Sequence, residues 1–371
     1  MYIRQIIKFY MQIYSFPALL PPEPFGLDID SFCDAARTQL SKAFLPFKKP
    51  QAQNKGLIIL EVITDNLTSV GIICLTNIKD YQENKLQVHE DIIGPKLKKQ
   101  KEYLVKQGTF IKPILAAIED HADLTTWLQI ERQKPVFKTF HSLKRQQKFN
   151  LWLVDDVDAI LEVKEIFRTK ITRAIIADGH HRSAACKSLF EEGNTQFNYL
   201  FTAYFPVSQL KILTFHRIYS LQKQTDVNLV LSNLSLHFEL TKLKSPLLPS
   251  GKNEVLIGLK DEWYRGIFKN IPHGKPDVIY ADELLPSIID AKNIVNIQYP
   301  EDAVSIQSFV NERKDNNPIL ALSFFPIPKN DWVKAVKDQL FFPPKSTRFM
   351  PILRSGLTMF DFKNTLPLPI D

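Results

Sequence analysis

Thr172-Arg173-Ala174-Ile175-Ile176-Ala177-Asp178-Gly179-His180-His181-Arg182-Ser183 sets an apolar run, one glycine and a polar segment in direct succession. Thr172 to Ala177 is a short apolar run rich in β-branched side chains, which predicts a buried strand, and Ser183 to Glu191 is predicted as a helix. Asp178 to Arg182 is then the strand-to-helix turn. A strand that stops at a glycine and passes directly into a helix brings unpaired N–H groups and the positive end of the helix dipole to one point. Anions bind at such points. Gly179 permits a positive φ or close backbone approach, Arg182 can fork onto phosphate oxygens, and His180 and His181 can donate further hydrogen bonds. An acid beside a phosphate repels it unless it holds a metal, orients a histidine or takes a proton, so Asp178 is a candidate base and a candidate Mg²⁺ ligand. The plainer alternative is a tight turn in which Asp178 caps the helix and both histidines lie at the surface. Adjacent histidines suit one tightly held zinc ion poorly, because neighbouring side chains diverge on a strand or a helix.

Outward from this turn the chain alternates strands and helices. Leu57 to Val62 and Val70 to Leu75 predict two strands with a hairpin-length connection between them. Asp91 to Gln107 predicts an amphipathic helix, and its basic run of Lys96, Lys98, Lys99 and Lys101 reads as a solvated face. Gly108 to Pro113 interrupts it, after which Leu115, Ile118, Leu124, Trp127 and Leu128 predict that helical spacing resumes from Ile114 to Ile130. Phe149 to Val154 is a predicted strand, followed by a helix from Val157 to Arg168 with Asp155 or Asp156 as its N-cap. Asn198 to Phe205 and Lys211 to Tyr219 are two more strands. A polar stretch from Leu221 to Val227 marks a boundary. Beyond it come strands at Val255 to Leu259, Trp263 to Phe268 and Ile319 to Phe324, with helices at Glu283 to Asp290 and Ala303 to Glu312. The expectation is two domains: residues 1–220, a mixed-sheet α/β domain carrying the turn, and residues 221–371, an α+β domain.

Bulk properties exclude several classes. At 371 residues, 44% hydrophobic and 23% charged, the chain has the makeup of a globular protein, not of a disordered or fibrous one. Lys and Arg exceed Asp and Glu by 47 to 40, a net charge of +7 that suits an anionic ligand, but no helix-turn-helix is visible and no nucleic-acid partner is expected. Cys33, Cys74 and Cys186 are odd in number and far apart, which argues against a disulfide framework. No good signal peptide and no membrane-length apolar window is read, so a cytoplasmic location without a membrane partner is expected.

The string from Ile175 to Arg182 closely resembles the signature of a widespread bacterial family of unknown function, family ten-fifteen. Other landmarks follow in the same order: His89-Glu90 with Lys96, Leu151-Trp152, Thr214-Phe215-His216-Arg217, Gln298-Tyr299, Pro343-Pro344-Lys345-Ser346-Thr347 and Ser355-Gly356-Leu357. Two positions depart from the pattern: Ser183, where an aromatic is common, and Pro21 to Phe25, which matches an early Pro-Pro-Tyr-Asp segment only loosely. The turn is also similar to the phosphate-gripping turn of the ParB and sulfiredoxin superfamily, which includes a free serine kinase. That resemblance implies a ParB/sulfiredoxin-like amino domain, ATP or ADP with Mg²⁺ as cofactors, and phosphotransfer to a small metabolite, with serine the implied substrate. Sulfiredoxin chemistry needs a cysteine that this turn lacks. In the implied assignment Asp178, His180 and Glu90 serve catalysis, Asp178 also holds the metal, and Gly179, His181, Arg182, Lys345, Ser346 and Thr347 bind the nucleotide, both loops sharing one ligand. The alternative is a nucleotide-binding regulatory module without turnover.

Overall fold

The computed structural model describes residues 10–21, 29–38, 52–259, 262–301 and 317–362. Pro22 to Phe25 and the helix expected at Ala303 to Glu312 lie outside them. The chain forms two compact units: one contains the described residues up to Val88, Ile92–Lys211 and those from Phe349 onward, and the other contains His89–Asp91 and Ile212–Arg348. The boundary expected at residue 220 thus falls at Lys211, and the last described residues belong to the first unit. The cause is strand pairing, since Arg217–Leu221 hydrogen-bonds on both edges to strands of the second unit.

The first unit is built on a mixed sheet. Its long strands are β1 (Ala52–Thr64), β2 (Leu67–Asn77), β3 (Ile114–Ile118), β4 (Gln147–Val154), β5 (Ala174–Asp178) and β6 (Tyr199–Pro206). In space they run β5-β3-β6-β2-β1-β4, with Leu86–Gln87 beside β5 and Lys138–Ser142 beside β4. β1 and β2 form the expected hairpin, closed at Thr64 opposite Leu67. β3 lies antiparallel to β5 and parallel to β6. Its residues are all buried, which corrects the helix expected from Ile114: only Ala122–Glu131 is helical. A strand covered on both faces is a continuous apolar run, and Ile-Leu-Ala-Ala-Ile fits helical and strand periods equally well.

Four helices of this unit are α1 (Gly94–Gln107), α2 (Ala122–Glu131), α3 (Val157–Lys170) and α4 (His180–Glu191). Part of its core is aromatic, with Phe16, Phe110, Phe201 and Phe360 all at 1% exposure or less and Phe16 edge-on to Phe201 at 5.2 Å. Asp156, not Asp155, caps α3, its Oδ1 accepting the Ala159 N–H at 2.9 Å. Asp156→Ala is expected to cost about 1 kcal/mol in urea denaturation, and Asp155→Ala clearly less. If the two variants lose equal stability, the capping assignment is wrong.

The second unit holds β7 (Arg217–Leu221), β8 (Phe238–Leu243), β9 (Glu254–Leu259), β10 (Glu262–Phe268), β11 (Ile294–Gln298) and β12 (Ile319–Phe324). They pair antiparallel in the order β8-β10-β9-β12-β7-β11. Helices α5 (Val227–His237), α6 (Asp277–Ile288) and α7 (Lys329–Lys337) belong to it among the described residues. The chain is therefore mixed α/β in its first unit and α+β in its second. Among the described residues no helix is long and apolar enough to cross a membrane.

Candidate functional site

β5 ends at Asp178 and α4 begins at His180, so a single residue makes the turn. Gly179 has φ 112° and ψ 16°, a backbone conformation that side-chain-bearing residues rarely adopt. Both histidines thus belong to the first helical turn, three residues earlier than the spacing indicated. No side chain caps α4. This excludes the alternative in which Asp178 is the cap.

Asp178 instead bridges two cations. Its Oδ2 accepts from Lys112 Nζ at 2.6 Å and from Arg182 NH2 at 3.3 Å, while Arg182 NH2 also donates to the Pro113 carbonyl at 3.3 Å. Desolvation would raise the carboxyl of the half-exposed Asp178, but the adjoining Lys112 and Arg182 charges outweigh it and hold it below the usual carboxylate range. Burial lowers the Lys112 ammonium, Asp178 opposes that, and Arg182 adds to it. A carboxylate so stabilised in its charged form takes up a proton less readily than a free one. Among the described residues no group of three His, Cys, Asp or Glu side chains could hold a metal by itself, so a Mg²⁺ ion at Asp178 would need phosphate oxygens as its other ligands. Asp178 thus pairs with Lys112 and Arg182 at once.

Two cations on one carboxylate leave an excess positive charge at the start of a helix. Arg182 commits only NH2 to its partners, in a long contact far from a bidentate fork, and its buried Nε has no acceptor among the described residues. His180 is buried, at 6% exposure. His181 Nε2 accepts the backbone N–H of Ile93, the residue that opens α1, at 3.1 Å, which fixes the ring proton on Nδ1 and joins the two helix starts. Ser183, where the family commonly has an aromatic, is fully buried, its hydroxyl donating to the carbonyls of His180 at 2.9 Å and Gly179 at 3.3 Å.

Lys112 was missed by sequence reasoning, and Pro113 and Ile114 with it. The only signal was the Lys112-Pro113 step before an apolar run, which reads as a helix interruption; it becomes a site residue because β3 lies beside β5.

The remaining expected residues gather in the second unit. Glu90 Oε1 accepts the backbone N–H of Lys345 at 3.0 Å, and Lys345 adopts a positive φ of 61°. Its Nζ lies 4.8 Å from the Phe215 ring centroid. Ser346 Oγ donates to the Pro343 carbonyl at 2.5 Å and accepts from Arg217 NH2 at 3.2 Å. Thr347 Oγ1 meets His89 Nε2 at 2.9 Å. Asp178 to Arg182 thus come together with Lys112 in one unit, and Glu90 with Lys345 to Thr347 in the other.

Residues 49–298 match the model of a family described as a protein of unknown function, DUF1015, which the landmark residues had implied. No curated protein matches the chain. Among solved structures, a conserved hypothetical protein from Pyrococcus furiosus is 15% identical with a TM-score of 0.43, the alignment covering 82% of this chain and 100% of that one. SbnI with a C-terminal truncation, from Staphylococcus aureus, is 12% identical with a TM-score of 0.43 over 77% of this chain and 87% of that one. A free serine kinase mutant in complex with ADP is 13% identical with a TM-score of 0.43 over 79% and 95%.

Proposed function

The chain belongs to the DUF1015 family, and from the geometry of its own turn we propose that it binds the phosphates of a nucleotide at Gly179 and passes a phosphoryl group to a hydroxyl of a small metabolite. One observation carries this reading: an uncapped helix start entered through a left-handed glycine, with Lys112 and Arg182 flanking a single carboxylate. Such a turn offers backbone N–H groups, a favourable dipole and net positive charge to one phosphate. The similarity of this turn to the ParB and sulfiredoxin phosphate turn supports ATP or ADP as the donor.

In the transfer a new P–O bond forms to the acceptor hydroxyl, the bridging P–O bond of the nucleotide breaks, and the hydroxyl proton leaves to a base. His180, buried at the first helical position, is the group in the turn suited to take it. Mg²⁺ would enter with the nucleotide, held by phosphate oxygens in place of a protein cage.

A second reading, binding without turnover, is favoured by the pairing of Asp178, whose carboxylate is already engaged by Lys112 and Arg182. Incubation of the purified chain with ATP or ADP, Mg²⁺ and serine separates the two. Phosphoserine detected by mass spectrometry is the expected result. A nucleotide-induced rise in melting temperature with no phosphorylated product would leave the binding module; no rise with either nucleotide would remove both readings.

A further inference from the structure

Arg217, at the start of β7, is buried to 3% exposure. Its guanidinium lies 5.5 Å from the Phe324 ring centroid, and NH2 donates to Ser346 Oγ. NH1 is buried with no acceptor among the described residues, and none of their carboxylates reaches Arg217 within ion-pair distance. A buried guanidinium held by one serine hydroxyl and an aromatic face is a poor structural element: its NH1 gives up hydration with no hydrogen bond in return. The residues around it, in contrast, are firmly placed. Ser346 is tied to Pro343, the left-handed Lys345 is tied through its backbone to Glu90, and His89 is tied to Thr347.

We propose that Arg217, with Ser346 and the Lys345 turn, forms an oxyanion site in the second unit that receives the carboxylate of a small metabolite. The charge balance selects the ligand class. Arg217 and Lys345 are cations, Glu90 contacts the Lys345 backbone, and Asp282 lies within electrostatic range of Arg217, so cations and carboxylates stand two against two. A monoanion adds one charge to a balanced surrounding, whereas a phosphate dianion adds two. The Gly179 turn differs, having two cations on one carboxylate. A planar carboxylate also matches the guanidinium plane, receiving NH1 while NH2 stays on Ser346. The site rests on the second unit alone and stands or falls separately from the phosphate turn.

The test uses the full chain with L-lactate, L-serine and inorganic phosphate as probes, read by calorimetry and thermal melts. The two carboxylates should bind and raise the melting temperature, and phosphate should not compete with them. Arg217→Met should weaken carboxylate binding about tenfold or more, the scale of a lost charge-assisted hydrogen bond, without lowering the ligand-free melting temperature. Arg182→Ala should leave carboxylate binding unchanged. Should Arg217→Met fail to fold, Arg217→Lys decides: weakened binding supports the site, and unchanged binding overturns it. Failure of both carboxylates to bind, displacement of them by phosphate, or wild-type affinity in Arg217→Met would each overturn the proposal.

Discussion

Arg182→Ala should weaken nucleotide binding by roughly 1.5–3 kcal/mol, the scale of hydrogen bonds to charged groups, which is a factor of ten or more in Kd. The ligand-free fold should change little. Removing the guanidinium leaves the half-exposed Asp178 on Lys112 at 2.6 Å, so its carboxylate keeps a cationic partner. It also takes a cation from the first turn of α4, where the dipole disfavours positive charge by roughly 0.3–1 kcal/mol at exposed sites. The contact given up, Arg182 NH2 to Asp178 at 3.3 Å, is long and made through one nitrogen. Arg182→Lys should recover only part of the affinity, because an ammonium lacks the planar fork. Thermal melts with and without ADP check both. A large fall in the ligand-free melting temperature together with an unchanged ADP-induced shift would mean that Arg182 serves only the ion pair with Asp178, and the phosphate turn would be wrong.

Gly179→Val should be the most damaging single change at the turn, in stability and binding together. A side chain at φ 112° meets backbone strain of about 1–3 kcal/mol. The new Cβ would also lie 2.9 Å from Arg182 NH2 and 3.3 Å from Ile114 Cα, and overpacking of this kind typically adds about 1–3 kcal/mol. The flexible guanidinium can withdraw, but only by leaving Asp178, whereas the Ile114 backbone lies in a sheet strand and cannot yield cheaply. Gly193 provides the control: it too has a positive φ, 92°, yet a Cβ there meets nothing within 4 Å. Gly193→Val should therefore show the backbone strain alone. In chemical denaturation and ADP titration, Gly179→Val is expected to lose more stability than Gly193→Val and to lose ADP binding, which Gly193→Val retains. Equal stability losses with ADP binding intact in both would show that the close approach at Gly179 has no functional consequence.

Much of the turn was legible because its signals are local. An apolar β-branched run, one glycine and a polar helix start are properties of consecutive residues, and β5, Gly179 and α4 follow from them, with the helix beginning at His180 once Gly179 alone reverses the chain. Asp156 as a cap and the β1–β2 hairpin are of the same kind. β3 was not legible, since an apolar stretch buried on both sides has no period to distinguish strand from helix.

By itself, the sequence determined the strand-to-helix turn, the family membership and the side chains available to an anion. Tertiary structure decided what those side chains do. Lys112 reaches Asp178 only because β3 pairs beside β5, and its charge with that of Arg182 holds the Asp178 carboxyl well below the usual carboxylate range. Arg217 meets Ser346 across 129 positions because β7 is paired into the second unit, far from any signal in its neighbours. The physical reason is the same in both cases. A side chain's protonation and partners depend on the charges within a few ångströms of it, and which charges those are is settled by strand pairing between segments remote in sequence.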